Sequence, residues 1–163
     1  MDEKQGSKQN RTTVARKSDR ELVITRTIDG PARLVFDAWT KPELFQRWWV
    51  PKSMGLVLLS YEADVRVGGQ YRLVFRHGES GSMAFFGTYT EVTPHSRLAW
   101  TNDEGDAGQT ITTVTFEEKA GKTLQVMTEL YASKASLDAE LESGAKDCFG
   151  ETFDQLDEVL VTL

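Results

Sequence analysis

The chain has 163 residues, of which 39% are apolar and 10% aromatic, enough to build the core of one globular domain. Its formal net charge of -6 at pH 7 argues against a nucleic-acid surface, which would need clustered Lys and Arg in excess of the acidic residues. No apolar run approaches the ~20 residues of a membrane helix and the start lacks a signal-peptide core, so we expect a cytoplasmic protein without a membrane span.

The first twenty residues are poor in apolar side chains. Beyond Met1 they contain only Val14 and Ala15, too little apolar surface to offset the entropy of ordering the segment. The sequence therefore predicts a disordered tail over residues 1–20. Because basic residues outnumber acidic ones there, the alternative is an interaction arm.

The first predicted strand is the segment ELVITRTID, which begins at Glu21. Leu22, Ile24 and Ile28 lie on one face of this strand by its two-residue period. Arg26 is the one polar break in that face. A Gly-Pro pair then ends the strand.

Two short helices are predicted next. The segment PARLVFDAW has the apolar spacing of one helix face, and its proline supplies a φ angle suited to the first turn. Thr40 and Glu43 form the T-x-x-E pattern of a capping box, which predicts a second helix. Adjacent helical residues point about 100° apart. We therefore expect Trp48 to close the core and Trp49 to lie with Phe45 at a cavity mouth or in a homodimer contact.

Six further strands are predicted between Gly55 and Tyr131. They are separated by short turns, many of them rich in glycine, and comprise GLVLLSYEADV, QYRLVFRH, SMAFFGTYTEVT, RLAWTN, QTITTVTFEEK and TLQVMTELY. Consecutive strands joined by short turns form an antiparallel meander. With the opening strand, we expect a curved antiparallel sheet of about seven strands.

After Tyr131 the period of the apolar residues changes from two to 3.6. A stripe at helical spacing predicts a long C-terminal helix; it consists of Ala145, Phe149, Phe153, Leu156, Leu160 and Leu163. The order of elements indicates an α+β fold, in which the curved sheet wraps around this helix.

Five segments carry a family resemblance: FDAWTKPELFQRWW, DVRVGGQYRL, GTYTEVTPHSRLAWT, TVTFEE and GAKDCFGETFDQLDEVL. As a set they resemble the activator of heat-shock protein 90 ATPase homologue family, within the START-like (SRPBCC), polyketide-cyclase-like superfamily. The resemblance spans residues 21–163 and implies one START-like helix-grip domain there. It also implies a deep apolar cavity between the sheet and the last helix, but not one particular chemistry.

The sequence departs from the family pattern in the last helix. Where the family usually has Gly-Trp, this chain has Cys148 and Phe149. The aromatic ring is kept and the indole N–H donor is lost. Either a ligand's polar group is held differently here, or the ring at this position only packs.

No catalytic motif stands out in the sequence. We interpret His77 and His95, which both lie in turns, as solvated loop residues, and Cys148 as a small packed side chain rather than a nucleophile. A single cysteine excludes an internal disulfide and a two-thiolate metal site, so we predict neither a metal nor another cofactor. The predicted strands also carry charged side chains, which we expect to face solvent rather than the cavity wall. They are Glu62, Asp64, Arg66, Arg72 and Arg76.

Large apolar side chains are predicted to line the cavity, because pockets for small molecules are mostly apolar. They are Trp39, Trp48, Trp49, Tyr71, Phe75, Phe85, Tyr89, Trp100, Met127, Phe149 and Phe153. We interpret the chain as a binding protein for a small hydrophobic molecule. One alternative is a cyclase- or hydrolase-type enzyme with a wall carboxylate or tyrosine as general acid or base. The other is a co-chaperone, although the short N-terminal tail cannot supply the additional domain of the chaperone activators.

Overall fold

The computed structural model describes residues 12–79, 81–103, 108–144 and 148–163. Its strands are β1 (Thr12–Arg16), β2 (Glu21–Ile28), β3 (Leu56–Ala63), β4 (Gln70–His77), β5 (Ser82–Thr93), β6 (Arg97–Asn102), β7 (Thr110–Lys119) and β8 (Lys122–Leu130). They form one antiparallel sheet in the order β1-β2-β8-β7-β6-β5-β4-β3. Strands from β3 to β8 follow each other as neighbours, which is the predicted meander.

In these described ranges, four helices and one 3₁₀ turn accompany the sheet. The helices are α1 (Ala32–Thr40), α2 (Pro42–Phe45), α3 (Lys134–Glu142) and α4 (Phe149–Val161), and the 3₁₀ turn is Lys52–Met54. Helix α4 packs against α1 and against the first two strands, which completes an α+β fold. Within the described residues, no helix has both the length and the apolar composition needed to cross a membrane.

The sheet has one strand more than the sequence predicts. The additional strand is β1, which lies inside the predicted tail and pairs with β2 from Thr12↔Arg26 to Arg16↔Leu22. The tail prediction is therefore wrong for these residues. Four of the five are exposed, so backbone hydrogen bonds to the edge of β2, rather than buried apolar side chains, hold the strand. The tail prediction for residues 1–11 lies outside the described residues.

The two short helices form where the sequence predicts them, but the backbone amides at their starts have other surroundings than the predicted capping box. Lys41, rather than Thr40, precedes α2, and its side chain makes no capping bond. The Thr40 hydroxyl instead donates to the Phe36 carbonyl one turn earlier, at 2.8 Å. At the start of α1, the Glu118 carboxylate of β7 accepts from the Ala32 amide at 2.9 Å. A sequence pattern shows only local caps, so this long-range one could not be predicted.

Arg26, the polar break in β2, is fully buried and ion-paired. Its Nη2 atom donates to Asp157 at 2.7 Å and to Asp154 at 2.8 Å, both on α4. Asp157 also accepts a hydrogen bond from the Asp29 amide at 2.9 Å. The break in the apolar pattern is thus the point at which the first part of the sheet is joined to the last helix.

The final helix is shorter than the predicted stripe. Residues 145–147, which include the first stripe residue, lie outside the described residues, and α4 begins at Phe149. Leu163 follows the end of α4 and is 46% exposed, so it does not join the buried stripe. Helix α3 is a separate element, whose N-terminus is capped by the Ser133 hydroxyl accepting from the Ser136 amide at 3.1 Å.

Candidate functional site

A cavity of about 280 Å³ lies between the sheet and the helices. Strands β3 to β8 and all four helices contribute residues to its wall. Eight of the predicted residues line it: Trp39, Trp49, Tyr71, Phe75, Phe85, Tyr89, Trp100 and Phe149. The cavity is therefore built where the alternation of the strands and the helical spacing place these side chains.

The prediction is wrong for Trp48, Met127 and Phe153, which do not line the cavity. Their exposed fractions are 0%, 1% and 0%, and they belong to the packed core. The Trp39 ring packs against Trp48, with ring centroids 4.9 Å apart, and itself faces the cavity. A sequence pattern gives the face on which a residue lies but not its depth in the interior.

The aromatic part of the wall is organised around Trp39. Its ring centroid lies 5.7 Å from the centroids of both Trp49 and Trp100. The indole Nε1 donates to the Gln125 side chain on β8 at 2.8 Å, which fixes the orientation of the ring. The wall is thus a set of rings held in place by their neighbours and by a buried hydrogen bond.

The two adjacent tryptophans diverge. Trp48 is fully buried, and its Nε1 donates to the Ala38 carbonyl at 3.0 Å. Trp49 is half-buried, stacks on Phe45 with a centroid distance of 5.0 Å, and lines the cavity. The two indole planes are 81° apart, which is the separation that lets one ring enter the core and the other the cavity wall.

Gln155 of α4 holds the segment that carries the two tryptophans. Its Nε2 atom donates to the carbonyls of Trp48 and Val50, at 2.9 and 2.8 Å, while its Oε1 atom accepts from the Lys52 amide at 2.9 Å. Both N–H donors and one acceptor site of this buried amide are directed at one chain segment. The position of Trp49 at the cavity is therefore set by the last helix.

Glu151 of α4 holds the same segment one turn earlier. Its carboxylate accepts hydrogen bonds from the Ser53 hydroxyl and from the Ser53 amide, the latter at 3.0 Å. These bonds, the hydroxyl's above all, hold the pKa of the Glu151 carboxyl below its ordinary value.

We expect acidification to release the 3₁₀ turn at Ser53 from α4. Because the pKa of Glu151 is lower in the folded state, its stabilising contribution is present above the ordinary carboxyl pKa and is lost as the pH falls through the lowered value. Protection of the Ser53 amide against hydrogen exchange should therefore fall below about pH 4. The Glu151→Gln variant should show the lower protection at every pH. Constant protection of the wild-type amide between about pH 6 and about pH 3 would contradict this expectation.

One end of the cavity is polar. The Tyr71 hydroxyl lies 2.9 Å from Oδ1 of Asn102, and the Asn102 Nδ2 donates to the Thr110 carbonyl and to the Thr112 hydroxyl at 3.2 and 2.9 Å. A Cβ at Gly87 would clash with the Thr101 carbonyl of β6 and come within 3.0 Å of the Tyr71 ring. Glycine at this position therefore leaves room for the β6 backbone as well as for the tyrosine that reaches the network.

Two carboxylates lie at this polar end, Glu129 of β8 and Glu140 of α3. Glu129 is only 7% exposed and accepts a hydrogen bond from the Tyr131 hydroxyl at 2.8 Å. Burial, followed by the charge of Glu129 and the hydrogen bond to it, raises the pKa of Tyr131, and the charge of Glu140 adds to this effect. Tyr131 therefore remains a protonated hydrogen-bond donor at neutral pH.

The hydroxyls of two further lining tyrosines interact with each other. These are Tyr61 of β3 and Tyr89 of β5, and burial is the main cause that raises the pKa of each. Both phenols are therefore protonated at neutral pH.

Phe45, which was expected beside Trp49 at a cavity mouth or in a dimer contact, also lines the cavity. The sequence reasoning missed eight of the described lining residues: Tyr61, Leu73, Leu98, Asn102, Thr110, Glu129, Tyr131 and Glu140. A signal for two of them was present. Because Met127 was predicted to face inward, the two-residue period of a strand turns Glu129 and Tyr131 to the same side. None of the five strand charges that were weighed for the wall, from Glu62 to Arg76, lines this cavity.

A second, apolar pocket of about 210 Å³ adjoins the cavity and shares the rings of Trp49, Phe75, Phe85 and Phe149 with it. The half-buried Cys148 lies on its wall. The histidine ring of His95 lies against Phe36, with centroids 5.6 Å apart, rather than in either pocket. Across the described ranges, no group of three or more His, Cys, Asp or Glu residues is placed to hold a metal ion.

A family model described as Activator of Hsp90 ATPase homolog 1-like protein matches residues 29–161. Protein NE0264 from Nitrosomonas europaea has a similar structure, with a TM-score of 0.80 and 24% identity over 90% of this chain and 97% of its own. A protein from Rhodobacter sphaeroides has a TM-score of 0.84 and 22% identity over 93% of this chain and 99% of its own. Protein CV1439 from Chromobacterium violaceum has a TM-score of 0.73 and 27% identity over 86% of this chain and 97% of its own. No functionally curated protein matches the chain significantly.

Proposed function

Because the chain belongs to the family of Activator of Hsp90 ATPase homolog 1-like proteins, we propose that it binds a small hydrophobic molecule in the cavity between its sheet and helices. The observation that carries the proposal is that a tightly packed core and an open cavity lie side by side in the same interior. Trp48, Phe153 and Leu156 are fully buried, yet about 280 Å³ beside them stays open behind an aromatic wall.

An open apolar space of this size has an energetic cost. The side chains around it lack contact partners on one side, and close packing would be expected to fill the space unless another molecule does so. Pockets for drug-sized ligands span roughly 300–1,000 Å³. The ligand should therefore be smaller than a typical drug molecule, with most of its surface buried among rings.

The chemistry of the tyrosines argues against a cyclase or hydrolase that uses one of them as its general base. A general base must exchange its proton near neutral pH. The pKa values of Tyr61, Tyr89 and Tyr131 are raised, mainly by burial, so these phenols orient a ligand and do not remove a proton from it. The co-chaperone alternative rests on the name of the family alone.

Native mass spectrometry of the purified protein is the first test of this proposal. A bound small molecule would appear as a mass shift that is lost on denaturation. Its fragmentation would then identify the chemical class of the ligand.

Trp49→Ala is expected to weaken binding of the neutral apolar dye N-phenyl-1-naphthylamine by about 1–3 kcal/mol. The substitution removes one face of the cavity wall, while the melting temperature should change little because the ring is half-buried. Titration followed by dye fluorescence measures the affinity. Phe86→Ala is the matched control, since this exposed ring lies on the opposite face of β5 from Phe85.

The proposal is wrong if the wild-type protein shows no saturable binding of neutral apolar probes. If Trp49→Ala instead converts a dimer into a monomer without changing dye binding, the cover over this ring is a second subunit. Analytical ultracentrifugation of both variants distinguishes the two results.

A further inference from the structure

We infer that a buried water molecule is bound between Arg26 of β2 and Gln125 of β8 and accepts a hydrogen bond from each. The inference does not depend on the proposed function. It is carried by two buried N–H donors that belong to directly opposite residues of one strand pair and that cannot bond to each other.

Two buried side-chain donors in the described part of the chain make no hydrogen bond to the protein. They are Nε of Arg26 and Nε2 of Gln125, and both residues are 0% exposed. Leaving a buried donor unbonded costs more free energy than an ordinary hydrogen bond contributes. Buried polar groups that the protein itself does not satisfy are the usual binding sites of internal water.

The strand register brings these two donors together. Arg26 is paired directly with Gln125 across β2 and β8, and both side chains are buried on the inner face of the sheet. The Cβ atoms of directly opposite residues lie about 4.5–5.5 Å apart. Each of the two nitrogens follows its Cβ by the same number of bonds, so both can reach the same height above the sheet. A water oxygen about 2.9 Å from two donors joins nitrogens roughly 4.7 Å apart at its tetrahedral angle, which matches this spacing.

Trp39 determines which end of the Gln125 amide is available to the water. An indole N–H can only donate, and Nε1 of Trp39 donates to Oε1 of Gln125 at 2.8 Å. The amide oxygen therefore faces Trp39, which directs the amide nitrogen away from it. A guanidinium group has no acceptor, so Arg26 cannot satisfy this nitrogen itself. The atom that joins the two donors must accept from both.

The surroundings of the guanidinium favour water over an anion as this acceptor. Nη2 of Arg26 already donates to Asp154 and Asp157, and an anion beside Nε would lie close to these two negative charges. Nε–H and Nη2 lie along the same edge of the planar guanidinium, so the two carboxylates can accept the protons of a water bound at Nε. The water would then make about the three hydrogen bonds that are typical of buried water.

The bound water connects helix α4 with the wall of the cavity. Hydrogen bonds run from Asp157 to Arg26, through the water to Gln125, and from there to the indole of Trp39. The ring around which the aromatic wall is organised is thereby tied to the ion pairs that join the sheet to the last helix.

Nuclear magnetic resonance of the wild-type protein tests the site without any substitution. The side-chain amide protons of Gln125 should show cross peaks to water that have opposite signs in NOESY and ROESY spectra, as expected for a long-lived bound water. Proton exchange would instead give peaks of the same sign in both spectra. Exchange peaks alone, or no water peaks at these protons, would overturn the inference.

Gln125→Met should remove the water, because methionine has a similar length and no N–H donor. Oxygen-17 relaxation dispersion of the solvent, to which hydroxyl protons do not contribute, should lose the amplitude of one long-lived water in this variant. Met127→Leu is the matched control: this residue is 1% exposed, lies two positions further along β8, and should leave the amplitude unchanged.

A folded Gln125→Met variant with the wild-type amplitude would overturn the inference. The substitution also removes the acceptor of the Trp39 indole, so the variant should melt at a lower temperature, and the comparison is made well below that temperature. If the variant does not fold at all, the wild-type spectra decide. Neither result bears on ligand binding in the cavity, which the dye titration tests separately.

Discussion

Arg26→Ala is expected to lower the free energy of unfolding by about 3–5 kcal/mol. The guanidinium group is completely buried and donates to Asp154 and Asp157 of α4, whose side chains are mostly buried themselves. Removing it leaves two carboxylates without their countercharge, of which Asp157, with a side chain only 12% exposed, has little access to water. Of the hydrogen bonds described above for Asp157, only the one from the Asp29 amide would remain.

Urea unfolding of the variant, followed by circular dichroism, measures this loss. Arg72→Ala is the matched control, because it removes an exposed arginine of β4 and should change the stability by less than about 0.5 kcal/mol. A loss below about 1 kcal/mol for Arg26→Ala would show that water reaches the two aspartates and that the ion pairs add little net stability.

Phe153→Ala is expected to cost about 3–5 kcal/mol, the second large effect. The ring is fully buried on α4, stacks on Phe149 at a centroid distance of 5.5 Å, and lies 6.2 Å from Trp48 and 6.4 Å from Trp39. Alanine would leave a void among rings that other contacts hold in place, so the site cannot collapse to fill it.

The same unfolding measurement tests the second effect, with Val161→Ala as its control. Val161 lies on the same helix, is 85% exposed, and should change the stability by less than about 0.5 kcal/mol. A loss for Phe153→Ala below about 1 kcal/mol would mean that the helix face turns away from the core.

The seven predicted strands could be recognised in the sequence because one face of each strand is buried. Burial of one face makes apolar and polar side chains alternate along the strand. β1 shows no such alternation, since four of its five side chains are exposed. Backbone pairing with the edge of β2 leaves no trace in side-chain polarity. The partners of Arg26 were not predictable for a related reason: they lie about 130 residues away in the sequence, on the last helix.

The candidate site was predicted in its aromatic part and missed in its polar part. Rings such as Trp39 and Tyr89 occupy inward positions, and inward position is what periodicity reveals. Whether an inward ring reaches the cavity, as Trp49 does, or stops in the core, as Trp48 does, depends on packing in three dimensions. Glu129 was missed because strand charges usually face water.

The position of β2 between β1 and β8 has a consequence for synthesis of the chain. Roughly a hundred residues separate Ile28 from Lys122, where β8 begins. At translation rates of about 5–20 residues per second, β8 is synthesised on the order of 5–20 s after β2. An unpaired apolar strand on a nascent chain is prone to aggregate. β1 emerges first and reaches β2 through a short turn, in which the Lys17 amide bonds the Glu21 carbonyl. This small exposed strand can therefore shield one edge of β2 until the ribosome has delivered the other half of the sheet.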